Sequence, residues 1–397
     1  MLLTHEFQVN LFSAGDQAGA RITKLNDGTF VVAWRSEAQD GQSGGVFAQR
    51  YSADGQRIGL EFGLSQSTEG NDADVNLTAL AGGGFVATWQ DQSGQDGDGY
   101  GVYARVFDAD GAAASDEFQV NLTTTYNQYQ STVTALDGGG FTVGWYHDYY
   151  RSGPEGDHHY MILARSFDAA GAATSDEFLA SDPVDSNYQR EPALITLGSG
   201  AGQKLLAVWR GYAPEEGDGV YARIMDPDGG NAGARILVND QTSGAQYQPQ
   251  AAELTDGRFV VTWRGNGPED GDGIYARAFA ADGTPEAVQF NVNPVDYSTD
   301  SDPQIVARPD GGFTIVWSHY NYDEEEVPAA NHTYGIFAVD YAADLTPGDY
   351  YQVNELTAGN QYAPDVAMLN SGALAFVWDG DTGDGSGRSV RMVLIGD

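Results

Sequence analysis

The chain contains no cysteine among its 397 residues. A disulfide framework and a thiolate metal site are therefore both excluded. Basic residues are also scarce, because 19 Lys and Arg stand against 57 Asp and Glu, for a formal net charge of -38. This charge repels nucleic acid and anionic membranes and suits a protein that meets cations, so we expect no nucleic-acid partner.

Long apolar runs are missing too. No stretch approaches the roughly 20 apolar residues of a membrane-spanning helix, so we expect no membrane insertion. The first residues, MLLTHEFQVN, have neither the basic region nor the cleavage site of an N-terminal signal peptide. Hydrophobic residues nevertheless make up 41% of the chain and aromatic residues 12%, which supports a sizeable core and argues against acidic disorder.

What the sequence does contain is a repeat built around its tryptophans. Each Trp ends a similar apolar run, such as FVVAW, FVATW or FVVTW, and successive tryptophans are roughly 54 to 64 residues apart. One Trp at a fixed position of every repeat predicts packing between repeats rather than a row of ligand contacts. The seven are Trp34, Trp89, Trp145, Trp209, Trp263, Trp317 and Trp378.

Each repeat reads as four short strands separated by turns. In the fifth repeat the runs QAAEL, FVVTW, IYARAF and VQFNVN are separated by TDGR, a longer acidic loop and AADG. Asp-Gly between short β-branched runs is a strong hairpin signal, and long helical periodicity is absent. The sequence therefore predicts an all-β fold, a seven-bladed β-propeller of four-stranded antiparallel blades, as a single domain over residues 1–397.

The two ends of the chain predict how the ring closes. The last repeat reaches its third strand, SVRMVLI, near residues 388–395 and then lacks a fourth. The missing strand matches EFQVN at Glu6–Asn10, which is identical to EFQVN at Glu117–Asn121. We therefore expect residues near 5–10 to complete the seventh blade. A closed ring has no long exposed edge, which favours a monomer.

The unit formed by DGGFVVxW, DGDGxGVYARxF and EFQVN resembles propeller-forming repeats in large secreted bacterial proteins. These repeats often accompany hemolysin-type calcium-binding (RTX) regions and adhesin-like modules. The resemblance covers nearly the whole chain, although the glycine-rich nonapeptides of the RTX β-roll are absent. It implies an extracellular or cell-surface module. The Ser/Thr-Asp signature of sialidase repeats is not present in runs such as TDGRFVVTW.

The loops that follow the second strands are long, variable and acidic. Their carboxylates recur two residues apart across a glycine, and calcium takes six to eight oxygen ligands. These loops are candidate calcium sites, and the alternative is that they are only solvated turns. The candidate metal ligands are Asp91, Asp96, Asp98, Glu216, Asp218, Asp270, Asp272, Asp381 and Asp384.

Two of these loops are rich in His and Tyr. They are YHDYYRSGPEGDHHY in the third repeat and SHYNYDEEEVPAANHTY in the sixth, which lie nearly opposite each other in a seven-fold ring. Such residues suit stacking on sugar rings or binding of a transition metal, and the alternative is a protein contact surface. Arginines directly after Trp would brace acidic loops or contact an anionic ligand. The candidate ligand-binding residues are His147, Tyr149, Tyr150, His158, His159, His319, Tyr320, Tyr322, Arg210 and Arg264.

The sequence carries no convincing catalytic motif. GQSGG at Gly41–Gly45 matches G-x-S-x-G, but it lies in a glycine-rich loop rather than between a strand and a helix. Our main expectation is a non-catalytic, calcium-supported binding or adhesion propeller of a secreted bacterial protein, with a glycan or protein ligand. The first alternative is a glycan-processing hydrolase or lyase with its site over the central channel. The second is a structural assembly module that contacts a partner protein.

Overall fold

The structure is a computed structural model. It describes residues 3–41, 44–68, 70–150, 158–182, 188–213, 217–267, 271–293, 299–320, 333–381 and 387–396, without the side chains of residues 150 and 158. These residues form seven four-stranded antiparallel sheets, and the innermost strands of neighbouring sheets contact one another around a complete ring. The seven-bladed β-propeller predicted from the sequence is confirmed.

The first four blades follow one another along the chain. Blade one has β2 (Gln17–Lys24), β3 (Phe30–Ser36), β4 (Gly45–Tyr51) and β5 (Arg57–Gly63). Blade two has β6 (Ala73–Ala79), β7 (Phe85–Asp91), β8 (Gly101–Phe107) and β9 (Phe118–Gln119). Blade three has β10 (Asn127–Ala135), β11 (Phe141–Tyr150), β12 (His158–Phe167) and β13 (Phe178–Leu179). Blade four has β14 (Gln189–Leu197), a 3-10 turn (Gly200–Gly202), β15 (Lys204–Ala213), β16 (Gly217–Met225) and β17 (Ile236–Leu237).

The last three blades complete the ring. Blade five has β18 (Gln246–Glu253), β19 (Phe259–Gly265), β20 (Gly273–Phe279) and β21 (Phe290–Asn291). Blade six has β22 (Asp300–Ala307), β23 (Phe313–Tyr320), β24 (Tyr334–Tyr341) and β25 (Pro347–Gln352). Blade seven has β26 (Gln361–Met368), β27 (Leu374–Gly380), β28 (Ser389–Ile395) and β1 (Phe7–Gln8).

The ring closes through the N-terminal strand, as the sequence predicts. Strand β1 pairs antiparallel with β28, with Phe7 opposite Met392 and Gln8 opposite Arg391. Because β1 is the outer strand of blade seven, the first and last segments of the described chain share one sheet.

The tryptophans form the core between blades. All seven are at most 1% exposed, and each lies in a different apolar cluster with residues of two neighbouring blades. Trp263 of blade five, for example, packs with Leu206 and Val208 of blade four. Full burial of an aromatic ring contributes strongly to stability. The prediction that these residues pack the blades together is confirmed.

Two recurrent motif residues join adjacent strands and blades. In the YAR motif of blade five, Arg277 donates to the carbonyl of Ala287 in its own blade and of Val238 in blade four, both at 2.8 Å. In the QVN-like motif of blade four, the side-chain oxygen of Asn239 accepts the backbone N–H of Val220 at 2.8 Å. The motifs repeat because several blades make the same hydrogen bonds, as Arg105, Arg165 and Arg223 do in blades two to four.

The short Asp-Gly turns are structural. Asp108 accepts the backbone N–H groups of Asp110 and Ala112, both at 2.9 Å, and Gly111 has a φ of 81°. Glycine tolerates this left-handed conformation and the carboxylate satisfies the turn, so no ligand is needed there. Within the described part of the chain, no helix is long and apolar enough to cross a membrane.

Candidate functional site

The central channel is lined by an irregularity that every blade repeats. Each innermost strand contains a bulge, where the ladder of hydrogen bonds shifts register. One residue of each bulge has a positive φ, between 48° and 69°, and all seven line one cavity of about 240 Å³. Bulges re-aim side chains and often lie beside functional sites. The seven residues, which we call the channel ring, are Gly19, Asp74, Gln130, Glu191, Gln248, Asp302 and Ala363.

Three neighbouring members of the channel ring are tied together. The backbone N–H of Gln248 donates to Oε2 of Glu191 at 2.6 Å, and its side-chain Nε2 donates to Oδ1 of Asp302 at 2.5 Å. The backbone N–H of Asp302 returns a bond to Oε1 of Gln248 at 3.0 Å. Blades four, five and six therefore hold two carboxylates in fixed positions on either side of one glutamine.

Aromatic rings and guanidinium groups alternate beside this part of the ring. The guanidinium carbon of Arg190 lies 3.7 Å from the ring centre of Tyr160 and 4.5 Å from that of Tyr188. That of Arg210 lies 3.9 Å from the ring centre of Tyr247. Such cation–π contacts hold both partners in place. We call this set the Tyr–Arg belt; its members are Tyr129, Tyr146, Tyr160, Tyr188, Arg190, Arg210, Tyr247 and Arg264.

Two arginines of the belt are neutralised by acidic residues. Arg264 donates to both oxygens of Asp272, at 2.8 and 2.7 Å, and this hydrogen bonding raises the pKa of Arg264. Arg210 lies 3.3 Å from Asp218 and 3.7 Å from Glu191. Arg210 and Arg264 thus pair with acidic loop residues, and the role in ligand binding that the sequence suggests for them stays a prediction.

Arg190 differs from its neighbours in the belt. Its Nε is buried and has no hydrogen-bond partner, and no ion pair of Arg190 occurs among the described residues. Arg190 lies directly opposite Arg210 in the β14–β15 pair. The carboxylates of Glu191 and Asp218 form ion pairs with Arg210 but not with Arg190. The belt therefore carries positive charge beside the acidic channel ring.

The two histidines expected to face a ligand are instead buried. His147 and His319 are 5% and 8% exposed. Nδ1 of His147 lies 3.1 Å from Nε2 of Gln128, and Nδ1 of His319 lies 2.7 Å from Oδ1 of Asp300. Desolvation lowers the pKa of His147. Both side chains belong to the packing beneath the face.

The remaining His and Tyr candidates separate into two groups. In blade three, Tyr149 stacks between His147 and His159, with ring centres 5.6 and 5.4 Å apart. In blade six, Tyr320 packs against Tyr334 at 4.9 Å. Tyr322 lies outside the described residues, and so do the side chains of Tyr150 and His158. The ligand-binding role of this set stays a prediction.

The described carboxylates that the sequence predicts to bind calcium form hydrogen bonds or ion pairs with protein groups. Asp91 accepts from the backbone and hydroxyl of Ser93 and from Gln95, whereas Asp218 and Asp272 pair with the belt arginines. Asp96 accepts from the Asp98 backbone and from Asn121, Asp98 accepts the backbone N–H of Tyr126, and Asp381 accepts from Asn360. Glu216, Asp270 and Asp384 lie outside the described residues. Among the described residues, no three His, Asp or Glu side chains converge as a metal site, and calcium stays a prediction.

Sequence reasoning missed the channel ring, and of the eight belt residues it named only Arg210 and Arg264 as candidates for ligand binding. A sequence signal for both does exist at the start of the innermost strand. The motif is Gln-Tyr-X-Pro at Gln246–Pro249 and Gln361–Pro364, and Gln-Arg-Glu-Pro at Gln189–Pro192. The second residue of this pattern supplies Tyr247 or Arg190, and the third supplies the channel ring. Only the closed ring shows that residues so far apart in sequence share one surface.

No family model matches the chain, and no curated protein matches it. Solved structures do. A Dyadobacter fermentans protein of unknown function is 12% identical, with 98% of this chain and 97% of that chain covered and a TM-score of 0.58. A leech intramolecular trans-sialidase, complexed with 2,7-anhydro-Neu5Ac, is 12% identical over 98% of this chain and 70% of its own, with a TM-score of 0.51. The Fusarium graminearum α-L-arabinofuranosidase is 14% identical over 84% and 96%, with a TM-score of 0.54. Identities this low establish a shared propeller fold.

These neighbours correct the main functional expectation. The sequence favoured a non-catalytic, calcium-supported adhesion propeller, whereas the structurally similar proteins with a stated activity are glycan-processing enzymes. The expectation was wrong because a repeat motif predicts only the fold. Function depends on the loops and the channel, which the motif does not determine. The resemblance to RTX-associated repeats likewise finds no matching family model.

Proposed function

We propose that the chain is a glycan-processing hydrolase or lyase whose site is the channel ring together with the Tyr–Arg belt. The observation that carries this proposal is the placement of Glu191 and Asp302, held by Gln248, beside a belt of tyrosines and arginines. The enzymes among the structurally similar proteins support it at the level of the fold.

The belt has the chemistry that binds sugars. Tyrosine rings offer flat apolar faces to the C–H groups of a pyranose or furanose ring, and their hydroxyl groups bond to water or ligand. Guanidinium groups and carboxylates supply the fixed donors and acceptors that orient sugar hydroxyls. Because Arg210 and Arg264 are held by Asp218 and Asp272, these groups are preorganised and lose little freedom on binding.

The channel ring supplies the carboxylates for the reaction. Glycoside hydrolysis generally uses two Asp or Glu residues that flank the scissile bond, one as acid and one as base or nucleophile. We assign this pair to Glu191 and Asp302, which project from neighbouring parts of the same cavity wall. Gln248 contacts both carboxylates and acts as a positioning residue.

A substrate panel tests the proposal. The protein is incubated with aryl glycosides, including sialosides and arabinofuranosides, and with acidic and neutral polysaccharides, while released aglycone, reducing ends and unsaturated products are measured. We expect turnover of at least one class. Absence of turnover and of binding across the panel would overturn the proposal.

The setting in which this site acts stays a prediction. We place the protein outside the bacterial cell or on its surface, where glycans are abundant, and as a monomer. Fractionation of the source cells and a sedimentation measurement of mass test these two points separately.

A further inference from the structure

Three positions recur where one blade meets the next, and all three are polar and buried at the blade two–three and blade five–six junctions. They are the residue that ends the outer-strand motif, the residue at or beside the start of the following inner strand, and the residue opposite it on the second strand, which is glycine in blades four, five and seven. Between blades two and three, Asn121 donates to Oε1 of Gln128 at 3.0 Å, and Nε2 of Gln128 lies 3.1 Å from His147. Amide and imidazole groups thus satisfy one another away from water.

The junction between blades five and six shows how a carboxylate is accommodated there. Asp300 replaces the glutamine and is 0% exposed. Asn293 donates to its Oδ2 at 2.6 Å, and His319 lies 2.7 Å from its Oδ1. Both carboxylate oxygens therefore have a nitrogen partner.

The junction between blades one and two gives nitrogen donors to Asp91, from Ser93 and Gln95, but none among the described residues to the carboxylate at its second position. It has Ser65 at the first position and Asp72 at the second, and the register that pairs Ala73 with Gln90 places Asp72 opposite Asp91. Both aspartates are only 2% exposed. Ser65 bonds to the Asp72 carboxylate, but Oδ1 of Asp72 is buried without a hydrogen-bond partner. Two carboxylates directly opposite each other repel, and burial strengthens the repulsion.

The other charged groups around Asp72 make this imbalance larger. The neighbouring charges with the largest effect on it are Asp91, Glu117 and Asp40, and all three are negative. Arg35, a cationic side chain of this junction, instead bonds to Asn71 and Glu37. The buried Oδ1 of Asp72, without a hydrogen-bond donor and surrounded by negative charge, fits a hard cation.

We propose that a calcium-type divalent cation binds between blades one and two, held by Asp72 and Asp91. The Ser65 hydroxyl and water complete the ligand set, because no three His, Asp or Glu side chains converge there among the described residues. The sequence predicts calcium binding in several acidic loops, whereas this proposal places it at one of the seven junctions between blades. Neither Asp72 nor Asp91 lines the channel cavity, so the proposal does not depend on the proposed glycan site.

Substitution of Asp72 by the residue of other blades tests the site. Glutamine occupies this position in five blades, at Gln17, Gln128, Gln189, Gln246 and Gln361. Calcium added to chelator-treated wild-type protein is expected to give one binding isotherm by calorimetry and a rise in Tm. Terbium is expected to give luminescence sensitised by the nearby Trp89 and Tyr103, and calcium is expected to displace it. Asp72→Gln is expected to lose all three responses and to match or exceed the chelated wild type in Tm.

Two further variants complete the test. Ser65→Asn with Asp72→Gln restores the amide pair of the blade two–three junction, so a folded protein without calcium binding is expected. Asp349→Asn, an exposed outer-strand change that also removes one negative charge, is expected to keep the full calcium response. Calcium binding that persists in Asp72→Gln overturns the proposal. So does a wild type without any response to calcium, which would indicate that the two carboxylates share a proton instead.

Discussion

Arg391 in β28 donates from Nε to Oε1 of Glu6 at 2.9 Å, and the two side chains are 9% and 1% exposed. The other carboxylate oxygen of Glu6 accepts the backbone N–H groups of Glu355 and Leu356, at 2.7 and 2.9 Å. One buried carboxylate therefore joins the N-terminal strand to the third strand of blade seven and to the end of blade six. The propeller is closed by this junction as well as by strand pairing.

Removal of the Glu6 carboxylate is expected to destabilise the whole ring. Glu6→Ala leaves Arg391 as an unpaired buried charge, which should lower the free energy of unfolding by about 3–5 kcal/mol. Urea unfolding followed by tryptophan fluorescence measures this change. The control is Arg388→Ala, because Arg388 and Asp16 form a 3.6 Å pair whose side chains are 39% and 35% exposed. That change should cost about 0–1 kcal/mol, and equal small effects of both variants would contradict the closure role.

Loss of the Asn239 side chain is expected to show that the QVN-like motif is structural. Asn239→Ala leaves the buried N–H of Val220 without its acceptor and should cost about 1–3 kcal/mol. Asn370, whose side chain only receives an exposed bond from Lys24, provides the matched control. Asn370→Ala should change stability by about 0.5 kcal/mol or less. Thermal and urea unfolding of the two variants give the comparison.

Burial of His147 predicts a specific pH dependence of stability. Its pKa is lowered in the folded state, so the unfolded chain binds the proton more readily. The stability that neutral His147 contributes is therefore complete above its ordinary pKa near 6.5 and is lost as the pH falls below that value towards the lower pKa of the folded state. His147→Asn keeps a hydrogen-bonding side chain but cannot titrate. Between pH 7.5 and 5.5 the wild type should lose more unfolding free energy than the variant, whereas parallel curves would show that His147 titrates normally.

The belt predicts which aromatic side chain matters for ligand binding. Tyr247 lies between the guanidinium groups of Arg210 and Arg264, at 3.9 and 5.6 Å from its ring centre. Its removal takes away a stacking surface and loosens both arginines, so Tyr247→Ala should weaken binding of the best panel glycan about tenfold, or 1.4 kcal/mol. Tyr350→Ala, in the outer strand of blade six with its side chain 51% exposed, should leave the affinity unchanged. Calorimetry on the two variants measures the difference.

The fold was readable from sequence because its determinants are local and repeated. A Trp within each second strand and Asp-Gly turns between strands define one blade, and EFQVN at Glu6–Asn10 supplies the strand that blade seven lacks. Each signal lies within one repeat or is copied exactly between repeats, so no long-range contact has to be guessed.

The candidate site was less accessible for physical reasons. Asp272 reads as a calcium ligand in a DGDG loop, but the pairing of Arg264 with Ile274 across the hairpin brings its carboxylate to a guanidinium. His319 reads as an exposed loop residue, but it lies at the buried junction position opposite Asp300. Such partners become visible only once strand register and blade order are known.

The most direct test of the account is the activity of the wild type against variants of the carboxylate pair. On a substrate from the glycan panel, Glu191→Gln and Asp302→Asn should each lower kcat by about 10²–10⁴, with binding retained, because each removes a group needed for proton transfer or attack. Asp349→Asn should keep wild-type kcat. Wild-type rates in both channel variants would contradict the account, since the cavity wall that joins Glu191 and Asp302 would then take no part in the reaction.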